Sequence, residues 1–501
     1  AKLSRYATCN GCNKAYGAYA LKPSSRTRKK MGTVRVFGHF IRFELFMLMV
    51  FEFLILVLTL YAGALLRFAG EFAIAIETIG WPLPHALVFA VLMELGMTAT
   101  GMYDPRQREG LRGTLFRVVV GLMLGAVSIL VSVYLFPNLN LGQGALVLAT
   151  TVAFLGIGTV RALGFTSTGK RIFNQIFSRR VLVMGTGNQA RSILDMRRRT
   201  DWRRLELVGF ARVEGQDCVI PQDKIVAINK PFADFATERH IDVIVVSLDE
   251  WRNECPVDQL LECKMIGIDV IDTATFFERQ FGKVRLDLLR PSHFIFSDGF
   301  QVSSFSQFIK RCIDVVMSVV LISITWPIML FTALAILLES GWGSPVFYQQ
   351  IRITQYGKPF NILKFRSMRV DAEDEQGARW AQANDRRVTW VGVIIRKLRI
   401  DELPQIFNVL RGEMSFVGPR PERPEFVTEL EKTIPFYTNR HRVKAGISGW
   451  AQLCYPYGSS EKDARQKLQY DLYYIKNNSV FLDLLILLQT VETVLFGKGA
   501  R

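Results

Sequence analysis

Residues 118–160 read VVVGLMLGAVSILVSVYLFPNLNLGQGALVLATTVAFLGIGTV, 43 positions without one charged side chain. Phe136-Pro137-Asn138-Leu139-Asn140 and Gly142 divide this run into two segments of about 19 residues, each long enough to cross a bilayer. Buried helices of a soluble protein are the competing reading. Two adjacent charge-free segments of that length favour the membrane. Working outward, Leu45–Leu66 is apolar except for Glu52, and Pro82–Met102 is apolar around His85 and Glu94. The sequence thus predicts four membrane-spanning helices within residues 43–165. Glu52, Glu94 and His85 are expected to pair across the bundle more than to act in chemistry, although intramembrane ionisable groups are functional candidates by default.

Charge fixes the expected orientation. The 501-residue chain has a net charge of +17, and residues 1–42 hold ten Lys/Arg and no Asp/Glu. The loop at residues 68–81 carries Glu71 and Glu77, the next carries Arg106, Arg108, Arg112 and Arg117, and Arg161, Lys170 and Arg171 follow the fourth segment. This alternation is the positive-inside pattern for four spans with both ends cytoplasmic. The basic excess therefore reads as an orienting arm against anionic headgroups. A nucleic-acid binder would carry it on a folded, aromatic-studded face. With half the residues hydrophobic and 21% charged, a disordered chain is excluded. Seven cysteines without regular spacing exclude a disulfide scaffold, and Cys9 and Cys12 form a lone CxxC. Met31 follows a basic stretch and reads as a natural start, which makes residues 1–30 a leader or tag.

Residues 166–300 alternate strand and helix patterns and predict a Rossmann-like α/β domain. Val181–Met184 is an apolar strand that runs into Gly185-Thr186-Gly187-Asn188-Gln189-Ala190, a GxGxxA turn. Gly185 and Gly187 are candidates for a nucleotide turn, since such glycines let a phosphate approach a helix N-terminus. An acid about twenty residues on, which would hold a ribose, is missing. Val208-Gly209-Phe210 leads instead to Ala211-Arg212. A regulatory or structural module is favoured over a working dehydrogenase.

A fifth apolar run, Val315–Leu338, is charge-free for 24 residues. Crossing would carry the basic residues that follow it out of the cytoplasm. Trp326-Pro327 lies near its middle, and proline removes a helix donor and crowds the preceding turn. Residues 312–338 are therefore expected to form a re-entrant helix that breaks at Trp326 and Pro327 and returns to the same side.

The densest chemistry follows. Asp401 and Glu402 precede Pro404, and Gly412 closes the apolar pattern, which predicts a helix of about two turns with the acids at its start. Three anion-binding groups flank them: Lys364-Phe365-Arg366-Ser367-Met368, Arg396-Lys397, and Gly418-Pro419-Arg420-Pro421-Glu422. Adjacent helical acids point about 100° apart, so one can attack while the other holds a metal or takes a proton. A carboxylate nucleophile splits a phosphoryl transfer into two steps, helped by Mg²⁺ and Arg/Lys on the phosphate oxygens.

These residues fall into a longer series: Lys310-Arg311-x-x-Asp314, Pro345–Arg352, Lys364–Met368, Asp401–Gln405, Asn408–Gly412, Met414–Pro421 and Gly446–Gln452. Over residues 308–498 the chain resembles the bacterial polyprenyl-phosphate hexose-1-phosphate transferases, of the monotopic phosphoglycosyl transferase superfamily. The four-span and α/β segments before it resemble the large subclass. The family's Ser-Pro helix break stands here as Trp326-Pro327, and its Lys-Pro-Gly as Lys444-Ala445-Gly446. The resemblance implies a membrane protein of mixed α and α/β class with its catalytic domain in residues 301–501. It implies that Asp401 is the nucleophile and Glu402 its Mg²⁺-associated partner, with Lys364, Arg366, Arg396 and Arg420 binding phosphate. It further implies a UDP-sugar donor, glucose or galactose favoured, undecaprenyl phosphate as acceptor, UMP release, the bacterial inner membrane, and a homodimer as a plausible assembly. A membrane-tethered NAD-dependent nucleotide-sugar-modifying enzyme is the alternative, and a non-enzymatic scaffold a third.

Overall fold

The computed structural model describes residues 33–36, 39–68, 82–104, 110–137, 143–169, 171, 177–196, 205–213, 216–249, 255–289, 299–300, 303–369, 387–455, 458 and 460–496. The CxxC cysteines, Met31, Glu71, Glu77, Arg106 and Arg108 lie outside the described residues.

The last residues of the basic arm are not a free tail. Strands β1 (Thr33–Val36) and β2 (His39–Arg42) form an antiparallel hairpin. His39 is buried, with Nδ1 at 2.9 Å from the Tyr473 hydroxyl and its ring edge-on to Trp450. The hairpin feeds α1 (Phe43–Arg67), which packs with α2 (Pro82–Ala99), α3 (Leu111–Leu135) and α4 (Gln143–Phe165) as a four-helix bundle. Helices α1, α3 and α4 are long and apolar enough to cross a membrane; α2 is shorter than the expected Pro82–Met102. It stops because Gly101 turns left-handed (φ 72°). Small residues let the helices touch backbone to backbone: a Cβ on Gly96 would lie 2.2 Å from the Gly121 carbonyl. Glu52 accepts from Arg161 Nε and Nη2 at 2.6 and 2.7 Å and from the Tyr103 hydroxyl at 2.5 Å, which is the structural pairing expected of it. Both Glu94 oxygens are buried without a hydrogen-bond partner.

Five parallel strands follow: β3 (Arg179–Met184), β4 (Leu205–Ala211), β5 (Ile225–Val226), β6 (Val243–Val246) and β7 (Asp269–Asp272), in the spatial order β5-β4-β3-β6-β7. Their side chains alternate between two cores, Leu182, Met184, Ile244 and Val246 on one face and Val181, Val183, Val243 and Val245 on the other. Burial of both faces is why these strands read as unbroken apolar runs. Helices α5 (Asn188–Leu194), α6 (Phe232–Glu238) and α7 (Val257–Met265) lie between these strands, and α8 (Thr273–Phe281) follows β7. Helix α8 is capped by Asp272 at its start and by left-handed Gly282 at its end.

Helix α9 (Ser304–Ser340) is the fourth helix long and apolar enough to cross a membrane. It is continuous, with Pro327 inside it, so no stretch of non-helical backbone separates its two limbs. Proline deletes only its own bond to the Ser323 carbonyl. Ser323 and Thr325 bond back to the Val319 and Leu321 carbonyls, a pattern that bends helices. Both ends of α9 hold the same C-terminal domain. At the first, Arg311 donates to the Val409 and Leu410 carbonyls and Asp314 accepts from Ser415 Oγ and Phe416 N. At the other, Glu339 Oε1 accepts from Trp390 N, while Ile336 packs with Phe365, Val391 and Ile395.

Helix α15 (Val480–Leu495), which follows α12 (Pro424–Thr433), α13 (Trp450–Cys454) and α14 (Glu461–Lys476), ties that domain to the bundle. Glu492 accepts from fully buried Arg117 at 2.8 Å, and the Arg117 guanidinium lies 4.3 Å from the Phe496 ring centre. A Cβ on Gly101 would strike the Glu492 carboxylate. Between the sheet domain and the C-terminal domain, Lys476 and Asn477 bond Glu278, and Trp450 Nε1 donates to the Gly282 carbonyl at 2.8 Å.

Glu52→Ala would leave Arg161 buried without its carboxylate and is expected to cost about 3–5 kcal/mol. Glu94→Gln, which breaks no pair, is expected to cost far less; thermal unfolding of the two purified variants in detergent compares them.

Candidate active site

The site is built on a hairpin, a turn and a loop. Strands β8 (Phe347–Ile353) and β9 (Pro359–Phe365) pair antiparallel, with Tyr348 opposite Lys364. Helix α10 (Trp390–Lys397) starts on a Thr389 cap and ends beside Arg399, a non-glycine residue at φ 59°. Ile400–Glu402 is then a single 3₁₀ turn, and α11 (Gln405–Arg411) begins only after Pro404. The acids therefore precede the helix and do not form its first turn. The left-handed Arg399 breaks the backbone ahead of them, and a turn of about three residues sets their side chains roughly 120° apart. Asn408 fastens α11 to β9, accepting from Leu363 N at 2.9 Å and donating to the Asn361 carbonyl at 2.8 Å. Gly412 ends α11 left-handed, as its position in the sequence predicts.

Three cations converge on Glu402 Oε1: Arg420 at 2.9 Å, Lys364 at 3.5 Å and Arg399 at 3.6 Å. Burial alone would raise the Glu402 pKa. Arg420 and then Lys364 outweigh it and hold this carboxylate far below the ordinary range. Its neighbour is treated in the opposite way. Asp401 is buried, and its Oδ1 has no hydrogen-bond partner. Burial, then the Glu402 charge, raises the Asp401 pKa against the pull of Lys364, Arg399 and Arg396. Burial and the Arg420 charge lower that of Lys364. One carboxylate is thus fixed as an anion and the other is left free to react.

The loop that carries Arg420 is held by its backbone. Gly418 N donates to the Ser448 carbonyl and Gly446 N to the Pro419 carbonyl, both at 2.9 Å. A Cβ on Gly418 would lie 2.2 Å from the Lys444 carbonyl, so only glycine allows the two chains to cross. Arg440, buried and paired with Asp471 at 3.2 Å, donates to the Arg420 carbonyl at 2.9 Å. Arg352 donates to the Pro421 carbonyl.

Of the residues named from sequence, Asp401, Glu402, Lys364 and Arg420 meet here, with Arg396 within electrostatic reach. Arg366 is buried, and both of its terminal nitrogens lack hydrogen-bond partners. Trp326 is largely exposed on α9, away from these groups, in an apolar belt. Arg399 and Arg440 are not among the residues named from sequence, and Asn408 enters there only as the first residue of the Asn408–Gly412 motif.

Gly185 and Gly187 lie at the start of α5 as expected, but the amides there are taken. Asp249 accepts from Asn188 N at 2.8 Å and Gln189 N at 2.9 Å, and a Cβ on Gly187 would lie 2.2 Å from Asp249 Oδ2. The chain's own carboxylate stands where a diphosphate would.

The site is thus a turn that pairs one pinned and one unpaired carboxylate, ringed by Lys and Arg, on a domain gripped by a helix long and apolar enough to cross a membrane. Residues 305–497 match the family model described as bacterial sugar transferase. The chain is 45% identical over 242 residues to a UDP-N-acetylgalactosamine-undecaprenyl-phosphate N-acetylgalactosaminephosphotransferase of Aeromonas hydrophila, covering 48% of this chain and 56% of that protein. It is 32% identical over 329 residues to an undecaprenyl-phosphate glucose phosphotransferase of Komagataeibacter xylinus, covering 64% of this chain and 60% of that protein. It is 31% identical over 344 residues to a UDP-glucose:undecaprenyl-phosphate glucose-1-phosphate transferase of Xanthomonas campestris pv. campestris, covering 64% and 67%. The match thus spans less than two thirds of the first two relatives. The chain belongs to the bacterial sugar transferase family.

Asp249→Ala removes the acceptor for two amides at the start of α5 and is expected to cost about 1 kcal/mol, the usual worth of such a cap. A shift in the unfolding transition of the purified chain measures it.

Proposed function

We propose that this chain transfers a hexose-1-phosphate from a UDP-sugar to undecaprenyl phosphate through a covalent sugar-phosphoryl Asp401, releasing UMP. The observation that carries this reading is the contrast within the dyad: Glu402 fixed by three cations beside Asp401, whose Oδ1 is buried and unpaired. In the first step an Asp401 oxygen attacks the β-phosphorus. A new P–O bond forms, the bond to the bridging oxygen breaks, and UMP leaves with the electron pair. In the second step an oxygen of the acceptor phosphate attacks the same phosphorus and returns the carboxylate. Lys364, Arg399, Arg420 and Arg396 surround the place where a pyrophosphate's charge must be held. The relatives' names point to glucose and N-acetylgalactosamine as sugars, so the donor is a UDP-hexose of that kind.

A Mg²⁺ ion fits the residues present. The three cations all approach Glu402 Oε1, so Oε2 takes none of these contacts. Mg²⁺ commonly binds through one or two carboxylates plus substrate phosphates and water. When bound there it would neutralise phosphate charge.

The membrane arrangement follows the same reading. We take α9 to enter and leave the cytoplasmic face of the bacterial inner membrane, since both of its ends hold one domain. The positive-inside pattern of the loops supports that orientation. The sheet domain reads as Rossmann-like and structural or regulatory. Occupation of its turn amides by Asp249 counts against the NAD-dependent alternative.

The test is UMP release from candidate UDP-sugars with undecaprenyl phosphate in detergent or lipid. Asp401→Asn is expected to abolish it, with a loss of at least about 10³-fold, the scale at which a covalent nucleophile contributes. Release of UDP, or full activity in the variant, would sink the mechanism. Asp401 must be ionised to attack, so activity falls as pH drops through its raised pKa. Lys364→Gln removes a cation that favours the ionised form, and the acid limb of its residual activity should move to higher pH.

A further inference from the structure

We propose that Arg366 and Gln405 hold the phosphate of the lipid-linked acceptor, in a subsite on the membrane side of the dyad; this rests on the transferase reading above. Arg366 is 7% exposed and Gln405 2%. Arg366 Nη1 and Nη2 and Gln405 Nε2 are buried donors without hydrogen-bond partners. Buried polar groups are almost always satisfied, so unfilled buried donors ask for an anion. The planar fork of an arginine suits a phosphate.

The placement separates this pair from the cations on Glu402. Lys364, Arg399 and Arg420 are already engaged by that carboxylate. Arg366 follows Phe365, which packs with Ile336 of the second limb of α9 and with Val391 and Ile395 of α10. Its own amide donates to the Val346 carbonyl at 2.9 Å. The outer side of α10, with Leu398 just after it, presents Trp390, Val393 and Leu398 to the surroundings, an apolar surface like that of α9. Gln405 lies one turn before Asn408, which bonds β9 at Asn361 and Leu363, so Gln405 and Arg366 belong to two elements that pack on each other. Ile400 and Leu403, which bracket the dyad, pack against the same cluster as Phe365.

The ligand class is a phosphate monoester on an apolar chain. As a dianion it needs no proton removed. One of its oxygens bonds the phosphorus of sugar-phosphoryl Asp401, the bond from phosphorus to the Asp401 oxygen breaks, and the carboxylate keeps the electron pair. An anionic phospholipid headgroup offers related chemistry, and lipid composition tells the two apart.

The test uses the full chain in nanodiscs of phosphatidylcholine, with and without phosphatidylglycerol. The KM values for undecaprenyl phosphate and for the UDP-sugar are measured for wild type, Arg366→Gln, Arg366→Lys and Gln405→Ala. Arg366→Gln should raise the acceptor KM at least about tenfold more than the donor KM, as loss of one charge-assisted contact does. Arg366→Lys should recover part of it, Gln405→Ala should shift the same constant, and the pattern should be the same in both lipids. A larger fraction of Arg366→Gln than of wild type should carry sugar phosphate during turnover. A donor KM raised as much as the acceptor KM, or an effect confined to phosphatidylglycerol discs, overturns the assignment. If Arg366→Gln does not fold, Arg366→Lys and Gln405→Ala decide by the same two constants. Wild type that never acquires sugar phosphate from donor alone would instead overturn the transferase reading.

Discussion

Everything in the catalytic domain turns on an imbalance of charge at one carboxylate oxygen. Lys364, Arg399 and Arg420 all reach Glu402 Oε1 from different elements: a strand, a left-handed turn residue and a loop. Such a cluster in a partly buried place is stable only if every member is paired, because a lone buried charge is costly. Glu402 pairs them. Asp401 is thereby spared a salt bridge of its own, and its Oδ1 stays buried without a hydrogen-bond partner.

The supports for that imbalance are mostly backbone contacts. Arg420 is presented by a loop whose carbonyls are gripped by Arg440 and Arg352 and whose glycine crosses a second chain. The dyad sits on a turn interrupted by Arg399 on one side and Pro404 on the other, which fixes it independently of the helix that follows. Asn408 then prevents that helix from sliding on the hairpin. These devices position atoms without adding charge to the site.

Much of this was legible beforehand. The bundle was readable because charge-free runs of bilayer length have few alternatives, and the parallel sheet because strands buried on both faces lose their polar alternation. Asp401, Glu402, Lys364 and Arg420 could be named from their residue types and spacing. Less legible were features that depend on distant partners. Nothing near Asp249 marks it as the occupant of the GxGxxA turn, since it lies some sixty residues away. Arg440 acts on a main-chain carbonyl, which leaves no signature in side-chain pattern. The basic arm reads as an orienting charge against headgroups because its charges dominate its composition, yet His39 and Phe40 near its end are held by Tyr473.

The pairing of Arg117 with Glu492 bears on how this molecule can be divided. Glu492 lies near the end of the chain, and its partner lies in a helix of the amino-terminal bundle. Helix α15 therefore completes, from a part of the chain made 375 residues later, a site begun in the bundle. Until it emerges from the ribosome, Arg117 has no carboxylate from α15 inside an apolar bundle. The bundle thus holds this ion pair only once α15 has been made, and a chain cut before α15 would keep the contact of Arg117 with the Thr100 carbonyl but lose the one with the Glu492 carboxylate.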